Sequence, residues 1–365
     1  MNKVNQLESY LNELGIDAAF ITNPDNVFYF SGFKSNPHER LLGVMVFKDA
    51  EPFLICPQME IPDAKNAGWE SDIIGHADTD NSMAILAAAV AKRTGRLNKI
   101  AIEKSHMTVE RHDALTEALG DLEILALDNR INAMRVIKDE HELQILREAA
   151  ELADYAIEVG AKTLKEGITE IEVMTQIELA LKKRGVTHMS FDTTVLSGPK
   201  AASPHGKTGD RKIQKGDFVL FDLGVVHKGY CSDITRTLAF GEPNDEQIEV
   251  YNLVLQAELA SLEAVKPGVT AAELDQAARN VIEDAGYGEF FTHRLGHGLG
   301  ISVHEFPSLH GSNNLIIESG MVFTLEPGVY VPGKVGVRIE DDVAVTDTGV
   351  EVLTKYPKEL QIIQP

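Results

Sequence analysis

Cysteine is scarce in this chain: Cys56 and Cys231 are the only two, and their spacing is not that of a metal site. So few thiols in 365 residues argue against a disulfide framework and point to a reducing compartment. Basic residues are also few. Lys and Arg number 34 against 56 Asp and Glu, for a net charge of −22. Nucleic acid and anionic membrane surfaces both call for basic patches, so neither is an expected partner. Long apolar runs are missing too. The longest, 83–91, is nine residues and cannot span a bilayer. The opening Met1-Asn2-Lys3-Val4-Asn5-Gln6-Leu7-Glu8 lacks the apolar core of a signal peptide, and a cytoplasmic protein is expected.

What is there is an ordinary globular composition, long enough for two domains with sizeable cores. Residues 1–128 read as a small α/β domain. Leu7, Leu11 and Leu14 share one face of a first helix. Strands are expected at 17–22, 42–47, 52–56, 100–102 and 122–127, and helices at 82–92 and 108–119. The domain boundary falls near 128–139. A long helical stretch opens at Lys138-Asp139-Glu140-His141-Glu142, and Thr169-Glu170-Ile171-Glu172 resembles the capped start of a helix over 169–183. Residues 190–240 switch to strand-like alternation. Helices return at 245–265 and 270–285 with Pro267-Gly268 between them, and 301–363 is strand-rich. Two helix pairs, each followed by strands, hint at an internal pseudo-repeat.

Five residues of the C-terminal half stand in contexts that suit metal ligands better than surface charges. Asp222 ends Phe218-Val219-Leu220-Phe221-Asp222, and Asp233 lies in Cys231-Ser232-Asp233-Ile234-Thr235-Arg236. His297 is framed by Gly296 and Gly298, Glu326 closes Met321-Val322-Phe323-Thr324-Leu325-Glu326, and Glu340 sits in Val337-Arg338-Ile339-Glu340-Asp341. Carboxylates at the ends of apolar strands are costly to bury unless positive charge compensates them. Four carboxylates balance two divalent cations. Turn-forming residues between Asp222 and Asp233 predict a hairpin with the two acids on neighbouring strands. The alternative is an ordinary antiparallel pair with exposed acids, which the apolar run before Asp222 disfavours. His297 alone is a weak signal, since a lone histidine in a glycine loop is more often structural. The glycines permit close backbone approach, and His293 and His304 cluster with it in sequence. Oxygen donors with one imidazole fit Mn²⁺ or Co²⁺, with Zn²⁺ also open. Two such metals can hold a bridging hydroxide and polarise a carbonyl, so metal-assisted hydrolysis is the expected reaction class.

In this order, the five residues resemble the pita-bread metallopeptidases: methionine aminopeptidase, aminopeptidase P and prolidase. Pro204-His205-Gly206, Asp222-Leu223-Gly224, Asp233-Ile234-Thr235-Arg236-Thr237, His293-Arg294-Leu295-Gly296-His297-Gly298-Leu299-Gly300, Val303-His304-Glu305-Phe306-Pro307, Glu326-Pro327-Gly328 and Arg338-Ile339-Glu340-Asp341 are similar to the prolidase and aminopeptidase P branch. The resemblance implies a creatinase-type α/β domain over 1–128 and an α+β pita-bread catalytic domain over 129–365. It implies that Asp222 chelates one metal, that Asp233 and Glu340 bridge both, and that His297 and Glu326 complete the second. Glu326 is the implied proton acceptor beside the attacking hydroxide. His205, His293 and His304 match three non-ligand histidines that steady the intermediate, handle leaving-group protons or hold substrate. Arg338 would support the ligands or touch substrate. A homodimer and a small peptide substrate with proline at the second position are implied as well.

Within that branch the expected activity is Xaa-Pro dipeptidase, cleaving the imide bond of dipeptides that end in proline. The alternative is an Xaa-Pro aminopeptidase acting on longer peptides. A dipeptidase must bind a free carboxylate, and arginine is the best donor for it; Arg294 and Arg338 are candidates. Some prolidases carry an arginine directly after the proline of the Val-His-Glu-Phe-Pro segment, where this chain has Ser308. The loop Ser35-Asn36-Pro37-His38-Glu39-Arg40 reads from composition as a solvated charged turn. A second reading has His38 and Arg40 closing over the site of a neighbouring subunit. Creatinase-like enzymes of the same fold hydrolyse without metal and lack the full ligand set; non-catalytic modules are expected to have lost ligands or the pair His205 and His304. All of these residues are present here.

Overall fold

Each strand expected in the first 128 residues is found, displaced by a residue or so at its ends. The computed structural model describes residues 3–204 and 206–365. Its contacts divide the chain into two units, Met1–Met134 and Arg135–Pro365. Among the described residues, no helix is long and apolar enough to cross a membrane.

The first unit holds a six-stranded mixed sheet in the order Asp72–His76, Phe53–Pro57, Gly43–Phe47, Ala18–Ile21, Lys99–Ile102, Glu123–Ala126. The helices Ser82–Thr94 and Val109–Leu119 start at Asn81 and Thr108, whose side-chain oxygens accept the N–H of Ala84 and Arg111. In the first helix, Lys3–Leu14, the buried face is Val4, Leu7 and Leu11. Leu14, expected on that face, is 54% exposed, because it is the last helical residue before the chain turns at Gly15. The sequence does not announce the helices Pro24–Ser31 and Ile61–Asn66, the 3₁₀ turn Gln58–Glu60 or the edge strand Asp72–His76. A short helix, Asp128–Arg135, occupies the expected boundary region, and the first unit closes at Met134. The chain's single tryptophan, Trp69, lies in this unit and donates its indole N–H to the Asp72 carbonyl at 3.1 Å.

The second unit is built twice from the same plan. The helices Glu140–Thr163 and Glu170–Lys183 share a core with a four-stranded sheet, in the order Ile362–Ile363, Ile234–Phe240, Asp217–Leu223, Thr194–Ser197. The helices Asp245–Ala264 and Ala271–Asp284 share a second core with strands of a five-stranded sheet, in the order Glu305–Leu309, Gly296–Gly298, Val322–Leu325, Asp341–Val345, Val350–Val352. All four helices begin with a reciprocal capping box: Asp139 with Glu142, Thr169 with Glu172, Asn244 with Gln247, and Thr270 with Glu273. Ile157, Ile177, Phe221 and Leu238 are fully or almost fully buried in the first core; Val254, Leu274, Phe323 and Val337 fill the second. Each such side chain contributes about 1.5–3 kcal/mol by leaving water.

The two sheets meet at one bridge between Thr235 and Glu340, where the Glu340 N–H donates to the Thr235 carbonyl at 3.1 Å. Nearby, the hairpin strand Val335–Arg338 presses on the 3₁₀ turn Gly198–Ala202 with no room for a side chain at Gly336. A Cβ there would stand 1.9 Å from the Ala201 carbonyl oxygen. Gly336→Ala should therefore force the turn away and lower unfolding stability by about 1–3 kcal/mol, read from the urea midpoint.

Candidate metal centre

The seam between the two sheets gathers the acidic residues. Asp222 is near the end of the strand Asp217–Leu223 and pairs in register with Thr235. Asp233 stands one residue before the partner strand Ile234–Phe240. Between them the chain does not make a single turn, as the spacing suggested. It forms a small extra hairpin, Val225–His227 with Tyr230–Cys231, turning at Lys228 (φ 47°) and Gly229 (φ 90°). This excursion leaves the long strands paired while Asp222 and Asp233 stay at the same end.

His297 is the middle residue of the strand Gly296–Gly298, not part of a loop. The glycines matter because neighbouring backbone crowds both faces. A Cβ at 296 would lie 1.9 Å from the Thr324 oxygen, and one at 298 would lie 2.2 Å from the Phe306 oxygen. His297 Nδ1 lies 3.2 Å from the Gly298 carbonyl, which suits an Nδ1–H tautomer. Nε2 then turns its lone pair toward Glu326 Oε1 at 3.5 Å and Asp233 Oδ2 at 3.8 Å. Ligand atoms of Asp233, His297 and Glu340 all lie within 4.8 Å of one another. Together with Asp222 and Glu326 they line one cavity of about 350 Å³.

Burial, with mutual repulsion added at Asp233, Glu340 and Glu326, raises all four carboxyl groups of the cavity. Burial, then repulsion from Glu340 and Asp222, pushes the Asp233 carboxyl well up. Burial, then Glu326 and Asp222, does the same to Glu340. Desolvation raises Glu326 to about 7, against the pull of Arg338. Asp222 is raised by desolvation although Arg338 Nη2 donates to its Oδ2. Burial drives His297 down to about 3, so its imidazole is neutral. Asp233 Oδ1 is buried without a hydrogen-bond partner among the described residues. An orphaned carboxylate oxygen, a neutral imidazole and carboxyls short of positive charge are the donor set that hard divalent cations require. The residues present fit two such ions.

Arg338 organises the rest. Its Nε donates to Thr235 Oγ1 at 2.9 Å and its Nη1 to the Tyr330 hydroxyl at 2.8 Å. Thr235 in turn donates to Glu340 Oε2 at 2.6 Å. The Tyr330 oxygen, already accepting from Arg338, directs its proton to His293 Nε2 at 3.0 Å. His304 places its ring 4.1 Å from that of His297, and Arg294 Nη1 donates to Ser308 Oγ at 3.1 Å. His293, Arg294 and His304 line the cavity with Arg338. His205 lies outside the described residues. His38 and Arg40 belong to the first unit, where the Arg40 guanidinium grips Asp78 at 2.7 and 3.1 Å.

Some supporting residues were not anticipated. Thr235 and Arg236 lie inside a motif already singled out. Arg236 is 1% exposed and donates to the carbonyls of Thr235 and Glu340 and to Asp341 Oδ1. Asp342, which accepts the Asp233 N–H at 2.9 Å, is one residue past another motif. Tyr330, in the plain strand Gly328–Val331, carried no signal.

The model of metallopeptidase family M24 matches residues 144–347. This chain belongs to family M24. The M24 unit has the pita-bread fold, and residues 3–137 match the creatinase/prolidase N-terminal domain. The M24 chain is 51% identical, over the whole of both proteins, to "Putative dipeptidase YkvY" of Bacillus subtilis (strain 168). It is 39% identical to an Xaa-Pro dipeptidase from Bacillus anthracis, with a TM-score of 0.92 and 99% of each chain covered. An X-Pro aminopeptidase from Thermotoga maritima MSB8 is 34% identical, with a TM-score of 0.86 over 96% of this chain and 99% of that one.

The raised carboxyls make a prediction about the metal-free protein. Groups whose folded pKa lies above the unfolded value of about 4 stabilise the fold at low pH and lose that contribution as pH climbs through the folded value. For Glu326 that value is about 7. The melting temperature of metal-free protein should fall between about pH 5 and about pH 8, and saturating Mn²⁺ should remove the decline. A flat metal-free profile in scanning calorimetry would contradict the electrostatic account.

Proposed function

We propose that this chain is a metal-dependent Xaa-Pro dipeptidase. The observation that carries the reading is the single cavity into which Asp222, Asp233, His297, Glu326 and Glu340 converge, with Arg294 on its wall. At about 350 Å³ it is at the small end of ligand pockets and suits a dipeptide. The five residues would hold two divalent cations, which when bound supply Lewis-acid activation of water and of the scissile carbonyl.

The chain's own groups do the remaining work. Glu326, on the cavity wall with its Oε1 3.5 Å from His297 Nε2, is placed to take the proton of the attacking water. His304, kept neutral by burial and by Arg294, is placed to donate to the developing oxyanion or to the departing imide nitrogen. His293, oriented by Tyr330, faces the same space, and His205 is assigned a related role. Arg338 fixes Asp222 and, through Thr235, Glu340. Arg294 is the proposed partner of the substrate carboxylate, held in place by Ser308 Oγ. The oxygen-rich ligand set favours Mn²⁺ as the working metal. The proposal includes a cytoplasmic homodimer in which His38 and Arg40 of one subunit approach the site of the other. The similarity to an X-Pro aminopeptidase supports a second reading, cleavage of longer Xaa-Pro peptides.

The deciding experiment compares initial rates with Mn²⁺ on Ala-Pro and Ala-Pro-Ala. Strong cleavage of the dipeptide with little of the tripeptide is expected; comparable release of alanine from the tripeptide would establish the aminopeptidase. Asp222→Asn should abolish turnover while leaving the circular dichroism spectrum unchanged. Arg294→Ala should raise KM for Ala-Pro by about 10- to 150-fold, the worth of a charge-assisted hydrogen bond of about 1.5–3 kcal/mol. Unchanged kinetics in Arg40→Ala would remove the loop from the proposal.

A further inference from the structure

Glu170 has no part in the chemistry above, yet its side chain is fully buried. A buried carboxylate is tolerated only when its acceptor positions are used, and here both oxygens are engaged twice. Oε1 accepts from the Ser197 N–H at 2.8 Å and the Ser197 hydroxyl at 2.9 Å. Oε2 accepts from Lys200 Nζ at 2.6 Å and from the Gly209 N–H at 3.1 Å.

Those donors are not scattered. Ser197 is the last residue of the strand Thr194–Ser197, and the 3₁₀ turn Gly198–Ala202 follows it. Gly209 is where the same excursion returns. One carboxylate therefore ties the outgoing and returning ends of a single segment, 197–209. Other contacts support the ends: Thr208 Oγ1 accepts the Val195 N–H at 2.8 Å, and Arg211 Nη1 donates to Ser197 Oγ at 2.6 Å. The turn rests on Gly336, two residues before Arg338. Between the ends, Pro204 lines the cavity with the acidic residues.

We propose that Glu170 is a positioning residue for the catalytic cavity: by clasping both ends of segment 197–209 it sets how Pro204 stands at the cavity wall against the bound peptide. The proposal rests on reading that cavity as a peptidase site. Glu170 touches neither metal ligands nor substrate, so its effect should appear in substrate capture and not in metal binding. Both oxygens are used: Oε1 holds Ser197 where the strand ends, and Oε2 holds Lys200 in the turn together with Gly209 at the return. Glu170→Gln keeps the size and one acceptor but removes the charge and turns an amide N–H₂ toward either the Ser197 N–H or the Lys200 and Gly209 donors, weakening the clasp in both orientations. Lys200→Met removes the one charge-assisted bond of the four and so loosens the clasp without touching Glu170 itself.

The experiment measures three quantities in Glu170→Gln: kcat and KM on Ala-Pro, Mn²⁺ affinity by calorimetry, and the rate of trypsin cleavage at Lys207 in the native protein. We expect kcat/KM to fall by about tenfold or more, mainly through KM. Mn²⁺ affinity should be unchanged and cleavage at Lys207 several-fold faster. Rates within about twofold of the parent overturn the proposal, as does a matching loss of Mn²⁺ affinity. Should Glu170→Gln not fold, Lys200→Met decides: faster cleavage at Lys207 supports the clasp and an unchanged rate overturns it. The proteolysis readout needs no substrate. If the parent protein fails to cleave Ala-Pro, the dipeptidase reading falls while the trypsin rates still decide the role of Glu170.

Discussion

Repulsion among four carboxyl groups in one small cavity is the constraint around which the catalytic unit is arranged. Asp233 and Glu340 are buried outright, and Asp222 and Glu326 are exposed only in part. No apolar core would keep such a group of acids together unaided. The surroundings are a series of answers to it. Arg338 neutralises Asp222 and orients Thr235 toward Glu340. Arg236 behind the seam grips the Glu340 main chain. The Asp342 side chain fixes the backbone at Asp233. What remains after these contacts is the deficit of positive charge that two divalent ions would fill.

The centre sits where two similar halves meet. The first half brings Asp222 and Asp233, the second His297, Glu326 and Glu340, and the bridge between Thr235 and Glu340 joins the two sheets beside them. Neither half alone offers a complete ligand set. Cations bound there would hold the halves together, so metal binding and the stability of the whole unit are one equilibrium.

Much of this was legible in the residues because each ligand is marked by an abrupt change of character: an acid closing an apolar strand, or a histidine between glycines. One helix start was equally plain, since the capping box Thr169-Glu170-Ile171-Glu172 is written in four consecutive residues. Other features carry no local mark. Tyr330 sits in an unremarkable strand and matters only because Arg338 arrives from the facing strand. Glu170 reads as one acid in a capped helix start, and its significance depends on two donors 27 and 39 residues away. The extra hairpin after Asp222 was missed because its strands, at three and two residues, are too short to show a period. Leu14 failed for the opposite reason: its period was right, but the helix ends with it.

The position of Trp69 has a practical consequence. As the sole indole, tied to the Asp72 carbonyl in the first unit, it makes intrinsic fluorescence a local reporter. Its emission follows the N-terminal sheet and says nothing directly of the catalytic half, whose state must be followed through circular dichroism or bound metal. Unfolding curves from the two kinds of signal superimpose only if both units melt as one cooperative body. A single tryptophan thus gives this chain a built-in optical label for one of its two parts.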